Sequence, residues 1–253
     1  MKIISLIENT SASEDIKSEH GLSLYIEANG KQMLFDMGQT GDFAENAERL
    51  GVDLAKIDLG IISHGHYDHG GGLRKFLKLN DLAPVYINKK ATLPYYNGER
   101  YIGLDTELFG DGRLIFLEGE KRIGDGLTLM TLDAEPTDAG NMRVRSGDRF
   151  LPDRFDHEQY LLIEEGDKRV LISGCSHKGI LQILRSFNPN VMVGGMHLIN
   201  MPLDEGLTVL AKEIGHLGCE IYTCHCTGKE QFEYIKKYID RIEYLSAGDR
   251  IEI

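Results

Sequence analysis

The sequence predicts an α/β protein built as a four-layer αββα sandwich, two mixed β-sheets face to face with helices outside, over residues 1–253 as a single domain. Three observations carry this. Apolar segments of strand length alternate with amphipathic helical segments along the whole chain. The chain runs twice through one layout: a hairpin ending in a polar residue (Asp36, then Cys175), a helix (40–50, then 178–187), and a strand ending near histidine (57–62 before His64, then 190–195 before His197). The candidate ligand residues follow strands, which gathers them at one shared edge of the two sheets. The repeat is one of layout, with no strong identity residue by residue.

Taken in order, residues 2–8, 22–28 and 31–36 read as strands, the last two a hairpin around Asn29-Gly30, a strong two-residue turn signal. Asp36 closes that hairpin; an acid at the end of a buried strand must be hydrogen-bonded, so it braces something nearby or caps the next helix. Helix 40–50 shows Phe43, Ala47 and Leu50 on one face, and the apolar run 57–62 reads as a buried strand. Helix 73–79 and strand 84–88 follow. Tyr95, Tyr96 and Tyr101 then form an aromatic patch, read either as rim residues that stack on a planar substrate or as loop packing. Strands are expected at 114–117 and 127–132. Residues 139–156 lack apolar periodicity and carry Arg143, Arg145, Arg149 and Arg154, which reads as a substrate-binding lid or a solvated loop. A second hairpin, 159–164 with 169–173, leads to Cys175; helix 203–217, strand 219–223, helix 229–238 capped by Thr227, and strands at 242–245 and 250–253 complete the chain.

The strongest chemical signal is Ser63-His64-Gly65-His66-Tyr67-Asp68-His69-Gly70-Gly71-Gly72. Three imidazoles and a carboxylate within six residues, directly after a buried strand, are suited to holding zinc, manganese or iron. His64 and His66 alternate across one residue and can face one ion, whereas Asp68 and His69 follow the turn and can face another. The glycines are expected to let the backbone pass close to the ions. Cys175 reads as a thiolate ligand or a small buried hydrophobe, and His197 as a core imidazole or a contact to substrate or a developing oxyanion. Cys224 and Cys226, flanking His225 on an extended segment, read as packing, and His20 and His216 belong to no motif.

Composition narrows the partners. Lys plus Arg number 28 against 40 for Asp plus Glu, and a net charge of −12 without a basic stripe argues against nucleic acid. No apolar run spans a membrane, the first residues read as a strand rather than a secretory signal, and the four cysteines form no disulfide framework, so a cytoplasmic protein with reduced thiols is expected.

The His64-to-His69 string resembles the signature of the metallo-β-lactamase-fold hydrolases. Gly174-Cys175-Ser176-His177-Lys178-Gly179-Ile180, Gly194-Gly195-Met196-His197-Leu198 and Thr223-Cys224-His225-Cys226-Thr227-Gly228 are similar to a branch resembling the dihydropterin ribofuranosylaminobenzene phosphate synthase. The resemblance spans nearly the whole chain. It implies that His177, or alternatively His157, completes the first site, that Cys175 stands where relatives carry a bridging Asp, that His225 is the last ligand of the second site, and that Asp36 braces the loop. The expected metal set is therefore His64, His66, Asp68, His69, Cys175, His177 and His225, holding two divalent ions, zinc first and iron or manganese as alternatives. The expected activity is hydrolysis of a small, anionic ester, lactone, amide or phosphoester by metal-activated hydroxide, with Asp68 and His197 as catalytic residues. The alternatives are a transferase or synthase acting on a pterin-like phosphorylated substrate, and a metal-dependent ligand or redox sensor.

Overall fold

A computed structural model describes residues 1–137 and 140–253. The first half carries β1 (Lys2–Ile7), β2 (Ser23–Ala28), β3 (Lys31–Phe35), α1 (Asp42–Arg49), β4 (Leu59–Ile62), α2 (Tyr67–Gly70), α3 (Leu73–Leu79), β5 (Val85–Asn88), β6 (Tyr95–Asn97), β7 (Arg100–Tyr101) and β8 (Leu114–Leu117). The second carries β9 (Lys121–Gly124), β10 (Leu127–Met130), β11 (Met142–Ser146), β12 (Arg149–Pro152), β13 (Tyr160–Glu165), β14 (Lys168–Ser173), α4 (Ile180–Phe187), β15 (Val191–Gly194), α5 (Glu205–His216), β16 (Glu220–Thr223), α6 (Lys229–Ile235), β17 (Ile242–Tyr244) and β18 (Arg250–Glu252).

Two seven-stranded sheets result, ordered β18-β1-β2-β3-β4-β5-β8 and β17-β16-β15-β14-β13-β10-β9. Each is antiparallel on one side and parallel on the other, the change falling at β3 in the first sheet and at β14 in the second. That shared plan is the duplicated layout expected from the sequence. Parallel strands need crossovers, and α1, α3, α4, α5 and α6 each supply one.

Both faces of each sheet are buried, so the strands are apolar on both sides. Ile3, Leu24, Ile26, Met33, Phe35 and Ile61 of the first sheet meet Leu129, Leu161, Ile163, Val170, Ile172 and Val193 of the second in the central layer. Outside the first sheet Phe43 and Ala47 of α1 and Leu73, Phe76 and Leu77 of α3 cover Leu34, Ile62 and Val85. Outside the second, Ile180, Leu184, Leu207, Ala211, Ile214 and Ile235 cover Met192 and Ile221. Both outer helix layers and both sheets of the αββα sandwich are thus present.

Several expectations are corrected in detail. The helix expected at 229–238 closes as α6 at Ile235, and Thr227 does not cap it: the Thr227 hydroxyl instead accepts the Met196 N–H at 2.9 Å, tying the ends of β15 and β16 together. The segment read as irregular at 139–156 contains the β11–β12 hairpin, which joins β6 and β7 in a third, four-stranded sheet; Ala139, where that segment was taken to begin, lies outside the described residues. Residues 57 and 58, expected to start a strand, follow a short helical turn, Leu54–Lys56, capped by Asp53. Among the described residues no helix is long and apolar enough to cross a membrane.

Candidate metal centre

The loop after β4 is pinned by its backbone before any side chain is considered. Met37 N–H donates to the His69 carbonyl at 2.7 Å, Leu22 N–H to that of Asp68 at 3.2 Å, and Gln159 N–H to that of Ser63 at 2.7 Å. The glycines serve this packing rather than an approach to ions. A Cβ on Gly71 would strike the Gln39 carbonyl, one on Gly72 that of Met37, and one on Gly21 would lie 2.7 Å from the Asp68 carbonyl.

Asp36, fully buried at the end of β3, organises the loop. Its Oδ1 accepts the Ser63 N–H at 2.7 Å, and its Oδ2 accepts the Ser63 hydroxyl at 2.7 Å and meets His69 Nδ1 at 2.6 Å. The Ser63 hydroxyl hydrogen is thereby used, so its oxygen accepts from His64 Nδ1 at 2.8 Å. Both imidazoles carry a hydrogen on Nδ1, which turns Nε2 toward the other candidate ligands. Asp36 is thus the brace expected of it, and not a helix cap.

In the second half the donors sit on separate strand exits. Cys175 follows β14, and its Sγ lies 3.2 Å from His69 Nε2. The turn that carries it is held by Glu158, whose carboxylate accepts the N–H groups of His177 at 2.8 Å and Lys178 at 3.1 Å as well as the Tyr160 hydroxyl. The Ser176 hydroxyl donates to the Gly195 carbonyl at 2.6 Å and so joins the exits of β14 and β15. After β16, His225 N–H donates to Glu8 at 2.6 Å. Asn9 Oδ1 accepts the Gly21 N–H at 3.3 Å, so its contact with His225 Nδ1 at 2.8 Å is again a donation from the imidazole. The Nε2 of His225 is left facing Asp68 Oδ2 at 3.5 Å.

Strain marks the same places. Asp36, Ser176, His197 and His225 all have left-handed backbones, with φ of 59°, 64°, 52° and 50°. Such conformations cost of order 1–3 kcal/mol for non-glycine residues and persist where the surroundings fix them. All four directly follow, or lie within three residues of, a strand end of the shared edge.

These segments converge. The ligand atoms of His64, His66 and His177 lie within 4.8 Å of one another, as do those of His64, His69 and Cys175, and those of His20, Asp68 and His225. Cys175 also groups with His177 and His197, and with His225 and Cys226, which puts its sulfur between the clusters. The Nε2 atoms of His64, His66 and His225 and both ring nitrogens of His177 are buried without a hydrogen-bond partner among the described residues. Orphaned buried nitrogens are costly unless something binds them, and a metal ion is the partner that imidazole lone pairs fit. Burial first, and the neighbouring imidazoles second, hold His64 and His177 well below the ordinary histidine value, so both are neutral. Burial works to raise the Asp68 carboxyl, but His69, His20 and His225 outweigh it and hold it well below the usual range.

His157 does not share this character. Gly65 N–H donates to its Nδ1 at 2.9 Å, so its Nε2 carries the hydrogen and donates to Asp153 at 3.1 Å. With both nitrogens engaged it supports the loop from behind. His197 is half-buried, its ring 4.2 Å from that of His177. Of the aromatic patch, Tyr95 is buried against His157 at 4.0 Å, while Tyr96 packs on Tyr101 and Phe150 in the small sheet.

Sequence reasoning missed several neighbours. His20, which belongs to no motif, places Nε2 3.2 Å from Asp68 Oδ2. Cys226, read as packing, joins Cys175 and His225, because His225–Thr227 is a helical turn rather than the extended segment assumed; Cys224 does pack in the central core. The buried acids Glu8 and Glu158 had no signal beyond lying at the ends of strand-like runs, and Asp153 lay in the segment without apolar periodicity.

The molecule is an α/β sandwich of two similarly built sheets whose strand ends gather imidazole, thiol and carboxylate groups that could hold metal ions. The chain belongs to the metallo-β-lactamase superfamily, whose profile matches residues 19–213. It is 30% identical over 239 residues to an uncharacterized protein of Methanocaldococcus jannaschii, covering 89% of this chain and 91% of that one. It is also 30% identical to the 7,8-dihydropterin-6-methyl-4-(β-D-ribofuranosyl)-aminobenzene-5′-phosphate synthase of the same organism, over 100% of this chain and 96% of that one. Among solved structures it matches Tm1679, a metal-dependent hydrolase of the β-lactamase superfamily, with a TM-score of 0.86 and 33% identity over 100% and 99% of the two chains. Zn²⁺-bound PqqB from Methylobacterium extorquens shares the fold at a TM-score of 0.62 and 13% identity, over the full length of both chains. The fold is therefore that of the superfamily's metal-dependent hydrolases, a family that binds divalent metals such as zinc.

Proposed function

We propose that this protein is a binuclear metallohydrolase acting on a small, anionic ester, lactone, amide or phosphoester. The observation that carries the reading is the convergence of buried, unpartnered imidazole nitrogens from both halves of the chain. His64, His66 and His177 would hold one ion; Asp68, His69 and His225 would hold the other, with Cys175 between them. When bound, the ions would activate water as the nucleophile and polarise the scissile carbonyl or phosphoryl group. Zinc fits this mixture of imidazole, thiolate and carboxylate best, with iron as the nearest substitute.

The chain's own residues then have separate tasks. Asp36 fixes the tautomers of His69 directly and of His64 through Ser63. Asp68, ionised among His20, His69 and His225, is placed to accept a proton from the attacking water and keep it oriented. His197, half-buried beside His177, is placed to meet the substrate's developing negative charge. The β6–β7–β11–β12 sheet carries Tyr96, Tyr101, Phe150 and Arg143 on one face, a set suited to a planar anionic molecule. Net negative charge disfavours nucleic acid, and the reduced cysteines suit the cytoplasm.

The full-length similarity to a synthase of a dihydropterin ribofuranosyl phosphate supports a second reading, transfer chemistry on a pterin-like phosphorylated substrate. Protein purified without chelator, tested for metal content and on ester, lactone and phosphoester panels, separates the two. Hydrolysis that disappears in His66→Ala together with one metal equivalent supports the hydrolase. A metal-loaded protein inert on every panel yet binding a pterin phosphate supports the synthase.

A further inference from the structure

Cys226 is a buried donor beside the centre to which the proposed function gives no task. We propose that Cys226 is a second sulfur ligand of the second ion, beside Cys175 and His225, so that this ion sits among thiolates while the first sits among three imidazoles. The inference rests on the binuclear reading above and deepens it by assigning the two ions different chemistry.

The first support is convergence. The ligand atoms of Cys175, His225 and Cys226 lie within 4.8 Å of one another, the same criterion met by His64, His66 and His177. The unpartnered Nε2 of buried His225 belongs to that group. No disulfide joins the sulfurs, so both remain free to ligate.

The second support is the backbone. On an extended strand Cys226 would project opposite His225, and Cys224 shows where such a side chain goes, since it packs between the sheets. His225 instead takes φ 50° and opens the turn His225–Thr227, which brings residues 225 and 226 to one side. A left-handed histidine is an expensive way to bury a small hydrophobe, and an understandable one to present two donors together.

The third support is what surrounds the sulfur. His197 N–H donates to Cys226 Sγ at 3.3 Å, and His197 too is left-handed, at φ 52°. Amide hydrogen bonds onto sulfur are the outer support that metal thiolates use. Gly195 makes the room, because a Cβ there would collide with the sulfur. The thiol donates to the Cys175 carbonyl at 3.4 Å; on ligating an ion it would release that proton to solvent and share a sulfur lone pair with the ion, with no change of oxidation state. Two sulfurs would bias this site to zinc, iron(II) or cobalt(II) over manganese or magnesium.

The test uses the full chain loaded with cobalt(II), whose thiolate charge-transfer absorption in the near ultraviolet scales with the number of sulfur ligands. Wild type, Cys175→Ala, Cys226→Ala, Cys226→Ser and Cys224→Ala are compared at matched cobalt content, with far-ultraviolet circular dichroism verifying the fold. The proposal expects both Cys226 variants to lose about half of the band while remaining folded, Cys175→Ala to lose a similar share, and Cys224→Ala to lose nothing. A full wild-type band in folded Cys226→Ala and Cys226→Ser, with the band abolished by Cys175→Ala alone, overturns the role of Cys226 and leaves the binuclear reading intact. Wild type that takes up no cobalt overturns both.

Discussion

In the first half of the chain four candidate ligands, His64, His66, Asp68 and His69, ride on one six-residue loop, and a single acid, Asp36, braces two of them. In the second half Cys175, His177, His197 and His225 come from three different strand exits, held by Glu158, Ser176, Thr227, Glu8 and Asn9. The same sheet plan underlies both. The difference is how position is fixed: by local covalent spacing in one half, and by several long-range hydrogen bonds and left-handed turns in the other. A defect in the brace of the first half should therefore be felt at two imidazoles, whereas defects in the second half should stay local.

The largest effect is expected at Asp36. Asp36→Ala removes a buried carboxylate that serves Ser63 twice and His69 once, and should cost about 3–5 kcal/mol in urea denaturation of metal-free protein. Glu158→Gln comes next. An amide can accept one N–H but turns its own donors toward the other, so the loss should be about 1–3 kcal/mol. If Glu158→Gln proves costlier than Asp36→Ala, the contrast between a shared brace and a local one is broken. Asn9→Ala follows: it frees the His225 tautomer and should weaken one of two bound metal equivalents about 10–100-fold while leaving the other. Calorimetric titration that shows both equivalents weakened alike would contradict the local effect.

The smallest effect is on pH. Burial works to lower the His69 imidazole, and the Asp36 and Asp68 carboxylates outweigh it, raising it to about 9. A value above that of the unfolded chain means stabilisation fully present below about pH 6.5 and lost as pH rises through about 9. Thermal melts of metal-free protein should accordingly fall in that window, and Asp36→Asn should flatten the slope.

The contrast also explains what was legible beforehand. The loop of residues 64–69 announces itself, because chemistry packed into six residues survives as a string, and the αββα layers follow from apolar runs with turn signals between them. His225 and Cys175 were legible through family resemblance and the duplicated layout. The proximity of Cys226 to Cys175 and His225 is not legible, because it depends on His225 adopting φ 50°, a conformation that no glycine at that position gives away. His20 lies far from the loop in sequence and reaches Asp68 only because Leu22 N–H anchors that segment to the Asp68 carbonyl. Glu8 and Glu158 bond backbone amides of turns more than a dozen residues away, and such pairings leave no periodic trace.

The central claim is that donors from both halves of the chain combine into two separate metal sites. Elemental analysis of purified, zinc-reconstituted protein tests it most directly. Two equivalents of zinc per chain are predicted for wild type, falling to one in His66→Ala and to one in His225→Ala. One equivalent or fewer in wild type, or two retained in both variants, would contradict it.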